Sequence, residues 1–193
     1  PIGGPLGFSV AGVAAHPITG ELFGVDSIAD VLVTINPTTG IATEVGPLGG
    51  GAAFANVTGL AFDPSGQTLY GVENGNDQFV TIDTTTGAAT GVGSPFTVGG
   101  LVVTAICCDP ATGDLFGGDA AGVNVSQLVS IDPATGVGSA IGPVGFILLE
   151  GLAFATQVPE HSGLFLFLIA TVAPLARLRD ESFVKLRCPE GQS

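Results

Sequence analysis

The sequence repeats itself about every 46 residues, and this period restricts the possible folds more than any other feature. Four apolar segments begin alike at Gly12, Gly59, Ala105 and Gly151, so that successive copies start 47, 46 and 46 residues apart. The second copy, which starts at Gly59, reads Gly-Leu-Ala-Phe-Asp-Pro. A period of this length is typical of proteins built from similar small units, each of which buries its apolar surface against its neighbours.

Each complete copy contains four short apolar segments separated by turn residues. An entry segment is followed by Gly-x-Leu-Phe-Gly, or by Gly-Gln-Thr-Leu-Tyr-Gly in the second copy. Then come Val-Thr-Ile or Val-Ser-Ile and a last segment, which closes at Gly46, Gly93 or Gly142. The turns combine Asp or Asn, often Pro, and a closing Gly, which together favour tight reversals of the chain. Four such strands predict one blade of a β-propeller. A β-sandwich or a β-solenoid is the alternative arrangement of the same strands.

The period divides the chain into a repeat region and a distinct end. Residues 1–156 hold the repeats, with blades that start near 12, 59 and 105 and a partial start at 151. Segment 157–179 breaks the pattern, and residues 180–193 form a tail. We expect an all-β, propeller-like fold of about three blades and a C-terminal hydrophobic helix. Since propellers have about four to eight blades, the ring is incomplete, which predicts a fragment of a longer protein or a sector closed by self-association.

Charge separates the same two parts of the chain. Residues 1–176 contain fourteen carboxylates and no Lys or Arg, whereas all four basic residues lie in the last seventeen positions. The net charge of −13 argues against nucleic-acid binding, which needs clustered basic side chains. The asymmetry predicts an exported acidic body and a tail on the other side of a membrane.

An uncharged stretch at residues 162–176 precedes the first basic residues, Arg177 and Arg179. Fifteen residues of helix span ~22 Å, which is shorter than the ~30 Å hydrocarbon core of a bilayer. Pro174 would also kink such a helix. The flanking arginines nevertheless favour a membrane helix, because they anchor an apolar segment at the cytoplasmic surface. A hydrophobic helix packed on the propeller is the alternative.

The repeats resemble those of bacterial secreted propellers, whose blades read G-L-A-F-D-P, G-x-L-Y-G and I-D-P-x-T-G, with the best match at residues 59–87.

The end of the chain resembles the PEP-CTERM sorting signal of Gram-negative bacteria. Val158, Pro159 and Glu160 match its motif, Arg177 and Arg179 match its basic cluster, and His161 departs from it. The resemblance implies export, insertion of residues 162–176 into the inner membrane, processing by an exosortase, and a final place at the cell surface or in a biofilm matrix.

The residues that could perform catalysis are few. His16 stands where other copies have a turn aspartate, so we expect it to shape a turn, and His161 lies in the sorting motif. Cys107 and Cys108 are expected to be small buried side chains, with a strained vicinal disulfide as the alternative, and Cys188 has no evident partner. Four aspartates recur at turn positions and are predicted to be structural: Asp63, Asp83, Asp109 and Asp132.

Five further carboxylates follow the second strands of the copies, where we expect solvated loops. They are Asp26, Asp30, Glu73, Asp77 and Asp119. Glu73 and Asp77 could supply oxygen ligands for Ca²⁺, although their spacing does not match an EF-hand. No other cofactor is expected.

Three functional hypotheses follow from these features. The first is an exported module that binds or scaffolds an extracellular polysaccharide or protein and has no enzymatic activity. The second is a fragment of a propeller enzyme of the lyase or lactonase type, which would use metal-bound or carboxylate groups. The third is a structural module that self-associates through its open blade edges.

Overall fold

The computed structural model describes residues 7–49, 54–93, 102–119, 126–145, 151–155, 165–169 and 185–186. Strands and turns account for the regular structure of these ranges, and no α-helix occurs in them. The predicted all-β fold class is therefore confirmed.

Three antiparallel sheets of four strands each follow one another along the chain, and in each sheet the strands are ordered as in the sequence. We call these sheets blades 1, 2 and 3. Blade 1 comprises β1 (Val10–Ala15), β2 (Leu22–Asp26), β3 (Val31–Ile35) and β4 (Ala42–Pro47). Blade 2 comprises β5 (Val57–Phe62), β6 (Leu69–Glu73), β7 (Gln78–Ile82) and β8 (Ala89–Gly91). Blade 3 comprises β9 (Val103–Cys108), β10 (Leu115–Asp119), β11 (Gln127–Ile131) and β12 (Gly138–Pro143).

The first strands of successive blades lie next to one another, as the inner strands of a propeller do. Strand β1 contacts β5, β5 contacts β9, and β9 contacts a further strand, β13 (Gly151–Ala155). The backbones approach closely there, because a Cβ atom on Gly12 would lie 2.5 Å from the carbonyl oxygen of Thr58. A Cβ on Gly59 would lie 3.1 Å from the carbonyl oxygen of Thr104. Glycine at the start of the entry strand therefore permits the tight packing of neighbouring blades.

The core consists of two apolar layers, each between two neighbouring blades. The first layer joins side chains of blade 1, among them Phe23 and Leu32, to side chains of blade 2, among them Leu60 and Phe62. The rings of Phe23 and Phe62 meet edge to face at 5.5 Å. The second layer joins blades 2 and 3 in the same way. Because side chains alternate along a strand, blade 2 contributes one of its faces to each layer.

The outer strands join the blades as well. The amide of Ala89 at the start of β8 donates to the carbonyl oxygen of Leu48 at 2.7 Å, which connects blade 2 to the end of blade 1. Gly46 in β4 packs against the backbone of Thr86 and Gly87, which form the last turn of blade 2. Gly93 packs against Thr135 in the corresponding turn of blade 3. The glycine that closes the fourth strand thus serves as an outer contact point between blades.

The C-terminal segment differs from the prediction where the structure describes it. Residues 162–176 were expected to be helical, but Phe165–Ile169 form strand β14, which pairs antiparallel with β13, and Lys185–Leu186 form β15 beside β14. The entry strand at 151 is thus the first strand of a three-stranded sheet. The physical reason is that an entry strand leaves a row of unpaired backbone groups, and the Phe-, Leu- and Ile-rich segment has the composition of a strand partner.

The other sequence features of this region lie outside the described residues. They are Val158, Pro159, Glu160, Arg177, Arg179, Cys188 and the remainder of the apolar stretch. Among the residues that the structure does describe, no helix is long and apolar enough to cross a bilayer.

The outer glycine contact can be tested with one pair of matched variants. We expect Gly46→Ala to destabilise the protein by about 1–3 kcal/mol, because the new methyl group would collide with the carbonyl oxygen of Thr86. Gly142 holds the same repeat position in blade 3 and has no atom within 4 Å of its hypothetical Cβ, so Gly142→Ala should leave Tm unchanged. Thermal unfolding followed by circular dichroism measures both effects, and equal Tm shifts in the two variants would contradict the assigned contact.

Candidate functional site

The predicted turn aspartates lie at the start of the turns that follow first or third strands. Asp83 Oδ1 accepts hydrogen bonds from the amides of Thr85 and Thr86 at 2.7 and 3.1 Å. Asp132 Oδ1 accepts from the amide of Ala134 at 2.9 Å, and Asp109 Oδ1 accepts from that of Ala111 at 2.8 Å. The side-chain hydroxyl of Thr85 is the main cause of a lowered pKa for Asp83. These carboxylates are therefore engaged as caps of their turns.

Asp63 caps its turn in a related way. Its Oδ1 accepts from the amide of Thr68 at 2.8 Å, and its Oδ2 accepts from the hydroxyl of Ser65. Burial opposes ionisation of this carboxyl, but the hydrogen bonds from Ser65 and Thr68 outweigh burial and lower its pKa.

His16 occupies the equivalent turn of blade 1. Its Nδ1 accepts hydrogen bonds from the amides of Ile18 and Thr19, both at 3.2 Å, so the imidazole takes the place of the carboxylate. Its ring lies 5.0 Å from the ring of Phe62 in blade 2. His16 therefore caps its turn through Nδ1 and packs its ring against blade 2.

A second set of carboxylates lies at the end of the second strand in every blade: Asp26, Glu73 and Asp119. They were expected in solvated loops, but the structure buries them, with exposed fractions of 4%, 1% and 2%. The reason is that each is the last residue of its strand and faces the backbone of an adjoining loop. The spacing of the acidic residues in the sequence shows that they recur in every blade, but it does not show that they are buried.

Backbone amides surround these buried carboxylates. Asp26 accepts from the amides of Ile28 and Ala29 at 2.8 and 2.9 Å through Oδ1, and from the amide of Ser9 at 2.8 Å through Oδ2. Asp119 Oδ1 accepts from the amide of Val102 at 2.9 Å, which repeats the Ser9 contact in blade 3. The amide of Ala29 is the main cause of the lowered pKa of Asp26. In blades 1 and 3 the carboxylate thus joins its second strand to the residue that leads into the inner strand.

Glu73, one of the two candidate Ca²⁺ ligands, has the same type of environment. Its Oε1 accepts from the amide of Gly75 and its Oε2 from that of Asn76, both at 2.7 Å. Asp77, the other candidate, ends this loop in a left-handed conformation with φ of 53°. Among the described residues, no group of three His, Cys, Asp or Glu side chains could hold a metal ion. The Ca²⁺ site at Glu73 and Asp77 stays a prediction.

The two adjacent cysteines of β9 are free thiols. Burial raises the pKa of Cys107 to about 12 and that of Cys108 to about 11. Both thiols are therefore protonated at neutral pH, which makes them poor nucleophiles. Cys107 is buried, as expected, whereas Cys108 is only half-buried and packs against the layer between blades 2 and 3.

An open groove of about 430 Å³ lies at one end of blade 2, around the turn that follows β5 and the turn that follows β7. Its lining is rich in hydroxyl groups, because the cross-strand pair Thr81 and Thr90 belongs to it together with three more threonines. The complete lining is Gln67, Thr68, Thr81, Ile82, Asp83, Thr84, Thr85, Ala88 and Thr90. Hydroxyl groups both donate and accept hydrogen bonds, and the carboxylate of Asp83 also lines the groove, so the groove is suited to a polar ligand that carries no negative charge. The sequence showed the threonines but not the cavity between them.

Comparison with known proteins extends the assignment of the fold. No family model and no curated protein matches the sequence. A structure of the nidogen/laminin complex matches with a TM-score of 0.62 and 17% identity, over 83% of this chain and 56% of that one. Virginiamycin B lyase from Staphylococcus aureus matches with a TM-score of 0.53 and 14% identity, over 82% and 47%. A gluconolactonase from Xanthomonas campestris matches with a TM-score of 0.52 and 12% identity, over 93% and 62%.

These proteins are β-propellers, and the similarity supports the propeller fold of this chain. This chain spans about half the length of two of them, 56% of the chain in the nidogen/laminin complex and 47% of virginiamycin B lyase. They include a complex of binding proteins as well as two enzymes, so a shared fold at this level of identity leaves the activity open.

The buried carboxylate caps can be tested at Asp26. We expect Asp26→Asn to lower stability at pH 7 by about 1–3 kcal/mol, because an amide group cannot accept from all three backbone donors. The lowered pKa of Asp26 gives a stabilisation that is complete above the ordinary value of 3.8 and is lost as the pH falls through the folded-state pKa. The variant should therefore lose less stability than the native protein between pH 7 and the acid range.

Urea unfolding at a series of pH values measures both effects of this substitution. Glu44→Gln is the control, because Glu44 is exposed on β4. A variant at Asp26 with native stability at pH 7, or with an unchanged acid dependence, would contradict the role of Asp26 as a buried cap.

Proposed function

We propose that this chain is an exported, non-enzymatic propeller module that binds a polar extracellular polymer at the cell surface or in the surrounding matrix. The observation that carries the proposal is the hydroxyl-lined groove of blade 2, which lies on a four-stranded sheet and is open to solvent. Rigid elements with polar side chains at their surface are suited to binding without a chemical step.

The electrostatics of the chain narrow the class of ligand. Residues 1–176 carry fourteen carboxylates and no Lys or Arg, so an anionic polymer would be repelled. A neutral polysaccharide suits the threonine hydroxyls of the groove and experiences no such repulsion. A protein partner of positive charge is the other class that this surface would attract.

The chemistry of the described residues also favours a binding role. The imidazole of His16 is engaged in a turn, the thiols of Cys107 and Cys108 are protonated, and Glu73 is bound to backbone amides. Nucleophilic or acid–base chemistry needs a group that is free to react and accessible to substrate. An enzyme of the lyase or lactonase type is the second candidate, because two proteins with these activities share the fold.

The groove predicts a specific binding experiment. We expect the protein to bind a neutral polysaccharide such as dextran or cellulose in sedimentation and calorimetric assays. The double substitution Thr81→Val and Thr90→Val should weaken binding roughly tenfold, because it removes two hydroxyl groups and keeps the strand-forming shape of the side chains.

The matched control for this experiment is the equivalent hydroxyl pair of blade 1. Thr34 and Thr43 face each other in the same register as Thr81 and Thr90, so Thr34→Val with Thr43→Val should retain affinity. Equal losses in the two double variants would contradict binding in the groove. Hydrolysis of gluconolactone by the purified protein would favour the enzyme hypothesis instead.

We further propose that the end of the chain is a sorting signal of the PEP-CTERM type, which an exosortase-like enzyme processes in a Gram-negative bacterium. Support comes from the order of Val158, Pro159 and Glu160, the apolar stretch, and the arginines at 177 and 179. Residues 162–176 would enter the inner membrane before processing, which requires strand β14 to separate from β13. The separated segment would then have to become a helix, because backbone N–H and C=O groups in the bilayer interior must be paired within the segment.

The sorting signal can be tested by expressing the chain behind a secretory signal in a Gram-negative host that has an exosortase. We expect the C-terminal segment to be removed near Pro159 and Glu160, and the double variant Pro159→Ala, Glu160→Ala to keep its full mass. The chain offers a second Pro-Glu pair as a control, so Pro189→Ala with Glu190→Ala should be processed normally. Mass spectrometry of the exported protein decides between these outcomes, and an unprocessed native chain would contradict the signal.

A further inference from the structure

The loop after the second strand of blade 2 contains the one Asn-Gly pair of the sequence, Asn74 and Gly75. Such a pair can react with itself, because glycine has no side chain to obstruct the approach of its amide nitrogen to the asparagine side chain. A bond forms between the nitrogen of Gly75 and Cγ of Asn74, and the bond from Cγ to Nδ2 breaks. Nδ2 leaves as ammonia with the proton of the Gly75 amide. Water then opens the resulting succinimide ring to aspartate or isoaspartate.

The glutamate that ends β6 explains why glycine stands in this loop. Glu73 holds the position of Asp26 in blade 1, since each pairs with the first residue of its inner strand. The longer side chain of Glu73 turns back over the loop, and a Cβ atom on Gly75 would lie 2.6 Å from its Oε1. A larger residue would therefore displace this carboxylate. The equivalent residue of blade 1 is Ile28, whose amide is bound by the shorter Asp26.

The same carboxylate engages the nitrogen that would react. Oε1 of Glu73 accepts from the amide of Gly75, and Oε2 accepts from the amide of Asn76, both at 2.7 Å. Hydrogen bonds to a charged acceptor are roughly twice as strong as those between neutral groups, and Glu73 is only 1% exposed to competing water. The amide of Gly75 must leave this acceptor and give up its proton before its nitrogen can attack.

The side chain that would be attacked is held as well. Nδ2 of Asn74 donates to Oγ1 of Thr58 at 2.8 Å, and the backbone amide of Asn74 donates to the carbonyl oxygen of Asn56 at 3.0 Å. The hydroxyl of Thr58 in turn donates to the carbonyl oxygen of Thr104 in blade 3 at 3.3 Å. Rotation of the Asn74 side chain towards the Gly75 nitrogen therefore costs its bond to β5.

We propose that Asn74 is a deamidation site whose reaction is held back by a clamp, formed by the Glu73 carboxylate and the Thr58 hydroxyl. Glu73 engages the attacking nitrogen, and Thr58 engages the group that is attacked and lost. Reaction would place a new carboxylate beside the buried Glu73 and remove the donor to Thr58, and isoaspartate would also lengthen the backbone of the loop. The clamp thus preserves this loop, whichever ligand the groove of blade 2 binds.

The experiment follows conversion of Asn74 to aspartate and isoaspartate in the full chain, which is incubated in mildly alkaline buffer with and without urea. Peptide mapping by mass spectrometry separates the products. We expect the native chain to react at least about tenfold more slowly than the unfolded chain, because the clamp exists only in the folded state. A native chain that reacts at the rate of the unfolded chain would overturn the proposal.

Two variants release the clamp from its two sides. Thr58→Val removes the acceptor of the Asn74 side chain and keeps the shape of a β-branched residue. Glu73→Gln leaves one acceptor oxygen for the amides of Gly75 and Asn76 and removes the negative charge. Each variant should raise the rate at Asn74 roughly three- to tenfold above that of the native chain. Thr58→Val lies outside the buried carboxylate, so it tests the clamp even if Glu73→Gln does not fold.

The matched controls alter the equivalent positions of blade 3. Thr104 and Asp119 hold the positions of Thr58 and Glu73, with the same irregular register between inner and second strand. Thr104→Val and Asp119→Asn should leave the rate at Asn74 unchanged even where they lower Tm. Clamp variants that react no faster than these two controls would overturn the proposal, because general loosening of the fold would then explain the rate.

Discussion

The fold depends on burial of each sheet by its neighbours. A four-stranded sheet of this size has two apolar faces and cannot cover either of them by itself. Blade 2 contributes Leu60 and Phe62 to one layer and Phe79 and Val72 to the other, so it has a complete environment. The inner strands can approach closely enough for this packing because Gly12 and Gly59 present no Cβ to the next strand. Packing between blades therefore positions the strands of blades 1, 2 and 3 relative to one another.

Most of this architecture could be predicted from the sequence, because the repeat specifies both strands and turns. Four strands per copy explain where the Gly-Leu-Ala-Phe segments, the Asp-capped turns and the closing glycines occur. The strand at Phe165–Ile169 could not be predicted in this way, because its composition suits a helix, a strand or a membrane segment equally well. Its conformation depends on the free edge of Gly151–Ala155, which is a long-range interaction that local sequence patterns do not contain.

In the candidate site, too, the sequence predicts the positions of some carboxylates and not of others. Asp63, Asp83 and Asp109 occur in motifs with Pro or Gly, so their place in turns could be recognised from neighbouring residues. Asp26 and Glu73 also recur, but a charged residue after a strand is normally exposed, and their burial follows from backbone amides that lie near only in the folded chain. The groove of blade 2 has the same origin, because Thr68 lies just before β6 and Thr90 lies on β8, and the two meet only through pairing of the sheet.

The amide-bound carboxylates have a consequence for the range of environments that the protein tolerates. In many proteins, acidic groups near the surface are balanced by Lys or Arg, and concentrated electrolyte weakens those exposed ion pairs. In residues 1–176 no Lys or Arg exists, and Asp26 is held by the dipoles of three peptide groups at distances of 2.8–2.9 Å. Dissolved ions do not displace such short, enclosed hydrogen bonds. They do screen the repulsion between the acidic groups at the surface. Added salt should therefore raise the stability of this part of the protein rather than lower it.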